Sequence, residues 1–234
     1  MHPAFSVIFF TVASGAGFGL FSLLYVADVF KLGGGFDATQ LLVGIVVALG
    51  LIGFGLLSST FHLANPKNAW RAFSRFRTSW LSREGVFAVA FMPLAMAWLA
   101  SIWFDAPAWL RDFAGFLAAV LAWITVFSTG MIYGCLKTIR QWNTPLVPAN
   151  YLALGYATGS LLMLFGAVTA GLELMPFISL SALIISIAAV LKAIYYFWIQ
   201  SPGLTPTLNT ATGLTRAKVK LLDTGHTHGT FLTQ

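Results

Sequence analysis

His62 and Glu84 are the two residues of this 234-residue chain best equipped to move protons. They bracket a basic, aromatic stretch, His62-Leu-Ala-Asn-Pro-Lys-Asn-Ala-Trp-Arg-Ala-Phe-Ser-Arg-Phe-Arg-Thr-Ser-Trp-Leu-Ser-Arg-Glu84. An imidazole titrates near neutral pH, so it can hold or release a proton under physiological conditions. A carboxyl paired with Arg77 or Arg83 can act as its counterpart in proton exchange. Between the two lie Trp70, Phe73, Phe76 and Trp80, which could wall an aromatic pocket. The same stretch holds Lys67, Arg71, Arg75, Arg77 and Arg83, five of the 13 Lys and Arg residues.

What must position these residues is a membrane bundle. The chain is 58% hydrophobic and only 9% charged, with a mean hydropathy of +0.84, whereas about a quarter of the residues of a soluble domain are charged. A helix crosses a bilayer with roughly 20 apolar residues, and six such runs occur, near 5–29, 40–62, 85–104, 112–134, 150–172 and 177–199. Because backbone groups must be satisfied within lipid, the expected fold is an all-α integral membrane bundle of about six helices. The first run lacks a basic leader and a small-residue cleavage site, so it reads as a retained helix. Residues 1–200 form the expected transmembrane domain and 201–234 a polar tail. Gly15-Ala-Gly-Phe-Gly19 and Gly155-Tyr-Ala-Thr-Gly159 have the spacing that lets helices pack closely. No strand precedes the first of them, so a phosphate loop is not expected there. Trp103, Trp109, Tyr151, Tyr195, Tyr196 and Trp198, at helix ends, suit interfacial belts.

Charge sets the orientation, since Lys and Arg accumulate in short cytoplasmic loops. The loop after the second run, the loop with Lys137 and Arg140, and the tail with Arg216, Lys218 and Lys220 together carry ten; the opposite loops carry only Lys31 and Arg111. Both termini and the His62–Glu84 loop are therefore expected in the cytoplasm.

The residue stock argues against resident redox centres. Cys135 is the single cysteine, too few thiolates for an iron–sulfur cluster, and reads as a buried apolar thiol. Of His2, His62, His226 and His228, only His62 stands at the end of a membrane helix, so bis-histidine haem is not expected. The pair His226 and His228 makes a poor metal site, and no metal ligand set is assigned.

Two readings of His62 and Glu84 stand side by side. A His at a helix C-terminus and a carboxylate at a helix N-terminus both complement helix dipoles, with Pro66 ending the helix. Alternatively, His62 donates to a quinone carbonyl while Glu84 exchanges protons. A lipid-soluble quinone needs an aromatic pocket at the membrane edge, a donor and a titratable relay, and ionisable groups at such a depth are functional candidates. Trp70, Phe73, Trp80, Arg77 and Arg83 would complete that site. The other cations have two explanations of equal weight: topology and anionic headgroups, or docking of an acidic soluble partner through Lys67, Arg71, Arg75 and Phe76. Nucleic acid is not an expected partner of so apolar a chain. A small transporter would need charge along a path across the bundle, whereas Lys192 alone lies clearly within a helix; it reads as snorkelling to the cytoplasmic face, with a proton path as the alternative.

His62-Leu-x-x-Pro66, Ala69-Trp-Arg-Ala-Phe73 and Arg77-Thr-Ser-Trp-Leu-Ser-Arg-Glu84 resemble the loop of the membrane-anchor subunits of the dimethyl sulfoxide reductase family, with its sulfite dehydrogenase branch especially close. Ile132-Tyr, Leu136-Lys-Thr-Ile-Arg-Gln-Trp142, Thr144-Pro145, Pro148 through Tyr151 and the opening Met1-His-Pro-Ala-Phe-Ser6 agree with it. The resemblance implies a three-protein complex: a large subunit with a molybdenum bis-pterin cofactor, a ferredoxin-like subunit with iron–sulfur clusters, and this anchor, without haem, exchanging electrons with ubiquinone or menaquinone. It implies no catalytic residue on this chain, and it associates the positions of His62 and Glu84 with quinol binding and proton handling. A cytoplasmic loop favours the sulfite-oxidising branch; a loop on the outer face would favour an exported S-oxide reductase. Relatives generally have eight membrane helices. Lys220-Leu-Leu-Asp-Thr-Gly-His-Thr-His-Gly-Thr-Phe231 resembles the linker preceding their last two, so the chain reads as a shortened product or a compact anchor.

Overall fold

A computed structural model describes residues 5–60 and 66–200 together with 209, 214 and 219; His62 and most of the tail lie outside the described residues. Six helices follow in order: α1 (Phe5–Val29), α2 (Ala38–Thr60), α3 (Trp80–Trp103), α4 (Ala108–Gly134), α5 (Leu146–Ala170) and α6 (Met175–Gln200). Each is long and apolar enough to cross a membrane, and the described residues contain no strand. The six apolar runs are thus six helices. The main shift is at α3, which begins at Trp80 rather than near 85, because the Ser79 side chain accepts from Ser82 N (3.4 Å) and caps the helix.

α1 is the hub. It packs on α2, α5 and α4, while α3 packs on α4 and α5 on α6. The small residues are what bring α1 and α5 together: a Cβ on Gly19 would collide with the Gly155 carbonyl, and one on Gly159 with the backbone joining Gly19 and Leu20. The two predicted close-packing motifs therefore meet each other. On the other side of α1, Phe18 and Phe21 meet Phe91 of α3 edge to face, with centroids 5.1 and 4.9 Å apart, and Phe21 meets Trp98 at 5.0 Å. Such pairs add to the dispersion that drives helix association where lipid removes the hydrophobic term.

Polar contacts fasten both ends. At one end, Arg111 of α4 pairs in a fork with buried Asp28 of α1, Nε lying 2.9 Å from Oδ2, and Lys31 reaches the same carboxylate at 2.9 Å. At the other end, Ser58 of α2 donates to Ser6 O of α1 at 2.8 Å, and Tyr195 of α6 donates to Gln141 O in the α4–α5 connection at 3.1 Å. The N-terminal ends of α1, α3 and α5 and the C-terminal ends of α2, α4 and α6 thereby gather on the side that carries the basic segment.

Candidate functional site

Pro66–Arg75 winds as a 3-10 segment packed on the start of α3. Phe73 lies over Gly85, where an added Cβ would come within 3.1 Å of its ring, and Phe76 meets Phe87 at 5.7 Å. Arg83 fastens the segment to the helix: its Nε donates to Phe76 O at 3.0 Å, its Nη2 to Arg77 O at 2.9 Å, and its guanidinium stands 4.3 Å from the Trp80 ring centroid. Backbone carbonyls and an aromatic face suit a planar guanidinium. Trp70, Arg71, Arg75 and Arg77 are exposed, with Trp70 65% accessible. The Lys67 side chain and all of His62 fall outside the described residues.

Glu84 turns away from these cations. One turn into α3, it is only 5% accessible and accepts from the Thr129 hydroxyl of α4 at 2.5 Å. Among the described residues no Lys or Arg forms an ion pair with it. Thr129 Oγ1 also lies 3.1 Å from Thr125 O, a second acceptor one turn back along α4. A hydroxyl with two acceptors serves both states of the acid: it donates to the carboxylate when Glu84 is ionised, and turns to Thr125 O while accepting from the carboxyl when Glu84 is protonated.

Behind Thr129 opens a cavity of about 620 Å3 among the gathered ends of α1, α4, α5 and α6, with Thr129, Tyr133, Asn150, Tyr151, Lys192 and Tyr195 in its wall. The Tyr133 and Tyr151 rings stack 5.8 Å apart, and Trp142 meets Tyr133 edge-on at 5.2 Å. Lys192 is half-buried, its ammonium 5.1 Å from the centroids of both Tyr195 and Tyr196, geometry in which a cation is held by ring quadrupoles. Asn150 Nδ2 donates to Leu146 O at 2.7 Å, while its buried Oδ1 has no partner among the described residues.

The structure gathers Trp80, Arg83, Phe73 and Phe76 at the start of α3, but the expected pairing of Glu84 with Arg77 or Arg83 is a correction: Arg83 is taken up by the Phe76 and Arg77 carbonyls, and the carboxyl faces α4 across Thr129, a direction the sequence does not hint at. Asn150, Tyr133 and Thr129 do not stand out in the sequence as site residues. The available signal is the run Thr125, Ser128, Thr129 and Tyr133 at the end of α4 that follows its apolar middle. Cys135 is a correction: it is exposed rather than buried, because α4 ends at Gly134 and leaves Cys135 as its C-cap. Among the described residues no group of three His, Cys, Asp or Glu side chains gathers to hold a metal ion.

A multi-pass helical membrane protein with a buried carboxyl, a polar-walled cavity and a basic aromatic surface at one end is the class these features define. The chain belongs to the DMSO reductase anchor subunit (DmsC) family, whose sequence model matches residues 1–205. It is 32% identical to a sulfite dehydrogenase subunit of Allochromatium vinosum, across 100% of this chain and 77% of that relative. It is also 27% identical to protein NrfD of Escherichia coli over 54% of this chain and 47% of that protein. No solved structure matches it at a significant level.

Proposed function

We propose that this chain is the membrane anchor and quinone-reactive subunit of a molybdenum and iron–sulfur oxidoreductase that oxidises sulfite with quinone as acceptor. The observation that carries the reading is the coincidence, at one end of the bundle, of an exposed basic aromatic segment and a buried carboxyl with no ion-pair partner among the described residues. The first suits an acidic redox partner; the second suits proton exchange with a lipid-soluble acceptor. Family membership and the likeness, across the whole of this chain, to a sulfite dehydrogenase subunit support the substrate class.

In this reading the large partner converts sulfite and water to sulfate, releasing two electrons and two protons. The electrons pass through the clusters of the ferredoxin-like partner, and quinone takes them up with two protons near the basic end. His62 donates to a quinone carbonyl and Glu84 exchanges a proton, while Trp70, Phe73, Trp80, Arg77 and Arg83 shape the approach. Lys67, Arg71, Arg75 and Phe76 dock the partner. Ten of the 13 Lys and Arg residues lie at that end or in the tail, which favours a cytoplasmic face in a bacterial inner membrane, with residues 201–234 as a cytoplasmic tail.

Two measurements test this. Material co-purifying with the chain should contain molybdenum and iron; a metal-free, partnerless preparation would refute the anchor role. Protease should cut near Arg75 only in inside-out vesicles; cutting from the periplasmic side would return the reading to an exported S-oxide reductase that oxidises quinol.

A further inference from the structure

A quinone needs room among the helices, and the described residues of the exposed segment enclose none: Trp70 and Phe73 sit on the surface, and Arg83 is bonded to carbonyls and stacked on Trp80. The volume lies instead behind Thr129, in the cavity of about 620 Å3 between α1, α4, α5 and α6, within the size range of pockets that enclose a small organic ligand. Its composition is that of a site for an apolar ring with polar substituents. Val7, Val12, Val126 and Val147 with Ile8 and Leu154 make the apolar wall, and Tyr133, Tyr151 and Asn150 provide a polar end. Ile8, Val12 and Leu154 at its rim are exposed on the outer surface of the bundle, so a molecule dissolved in the bilayer can enter between helices without crossing water.

Two features go beyond shape. Thr129 is shared: it lines the cavity and bonds Glu84, which stands behind it. Asn150 stands in the same wall, and its amide oxygen is buried with no donor among the described residues. An unmet buried acceptor is unfavourable, and turning the amide toward a hydroxyl on a bound ring would relieve it.

We propose that this cavity, in place of an approach past Trp70, Phe73, Trp80, Arg77 and Arg83, houses the quinone headgroup, and that the Thr129 hydroxyl passes a proton between the ring oxygen and Glu84. The assignment rests on the quinone-reactive role proposed above. On reduction, the ring gains two electrons from the iron–sulfur partner. One proton travels by a coupled shift: the Glu84 O–H breaks as its proton moves to Thr129 Oγ1, whose own proton moves to the ring oxygen. Glu84 is re-protonated from the aqueous edge, and the second proton comes from water there. Oxidation of quinol reverses each transfer.

The test uses the intact complex in membranes, with a photoreactive azido-quinone as probe and turnover measured with both a short-chain quinone and an artificial dye. Label is expected on peptides of α4 and α5 that contain Thr129 to Asn150. Thr129→Val should lower quinone-linked turnover at least about tenfold with dye-linked turnover unchanged, and Thr129→Ser should restore it. Label confined to the Pro66–Arg75 segment, or displacement of a tightly held lipid acyl chain but not of quinone from the cavity, would overturn the location and leave the quinone role standing. Full activity of Thr129→Val would overturn the relay. Absence of both label and quinone-linked turnover in the unmutated complex would instead overturn the quinone role itself.

Discussion

Thr129 of α4 donates to the carboxyl of Glu84 on α3, and this bond joins the helix that carries the basic segment to the helix that walls the cavity. Both residues are buried, at 7% and 5% accessibility. A carboxyl withdrawn from the loop arginines is placed to serve the interior. Glu84→Gln keeps shape and hydrogen bonding while removing the exchangeable acid. It is expected to slow quinone-linked turnover roughly a hundredfold while dye-linked oxidation by the partner subunits continues. Equal loss of both activities would mean that Glu84 serves assembly.

The α1–α5 contact is expected to tolerate no side chain. Gly159→Ala places a methyl against the backbone at Gly19 and Leu20, and should destabilise the bundle by about 1–3 kcal/mol, the usual scale of overpacking. Gly166→Ala on the same helix has open space around it and should be neutral or stabilising by up to about 1 kcal/mol. Thermal unfolding in detergent of the two variants side by side checks the contrast.

How far these features can be read in advance differs by kind. The six spans are legible because bilayer insertion demands a one-dimensional signal, apolar length, which the sequence states directly. The meeting of Gly15–Gly19 with Gly155–Gly159 is legible as two motifs but not as a pair, since spacing names a close approach without naming the partner. Glu84 is recognisable by type, yet its direction is not, because which side of α3 faces α4 is decided by packing. Asp28 and Arg111 read as ordinary loop charges, although the fold buries the carboxylate and closes a fork on it across 83 residues. Thr129 and Asn150 carry no local mark: a Thr or Asn in a membrane helix commonly bonds its own preceding turn, as both do here.

That buried ion pair leads to a stability contrast. Arg111→Ala leaves the Asp28 carboxylate buried with only the exposed Lys31 beside it, and is expected to lower stability by about 3 kcal/mol, as when one partner of a buried pair is removed. Lys31→Ala removes a largely exposed partner and should lower it by less than about 1 kcal/mol. Unfolding midpoints of the two variants give the comparison.

The exposed cations of the basic segment should act on partner association and not on the bundle. Arg71→Glu with Arg75→Glu is expected to reduce co-purification of the soluble subunits, and the unmutated complex should lose them progressively as salt is raised, because exposed charge pairs are screened over about 10 Å at 0.1 M. The same double variant should leave thermal unfolding of the isolated chain unchanged. Arg83→Ala, which unfastens the segment from Trp80 and two carbonyls, should loosen the loop as well.

The central claim, that electrons from the soluble partners reach membrane quinone through this chain, is tested most directly by sulfite-dependent quinone reduction in membranes with and without it. Deleting the chain should abolish sulfite-dependent quinone reduction, release dye-linked sulfite oxidation into the soluble fraction, and be reversed by re-expression of the full chain. Quinone reduction that persists unchanged in membranes lacking the chain would contradict the account.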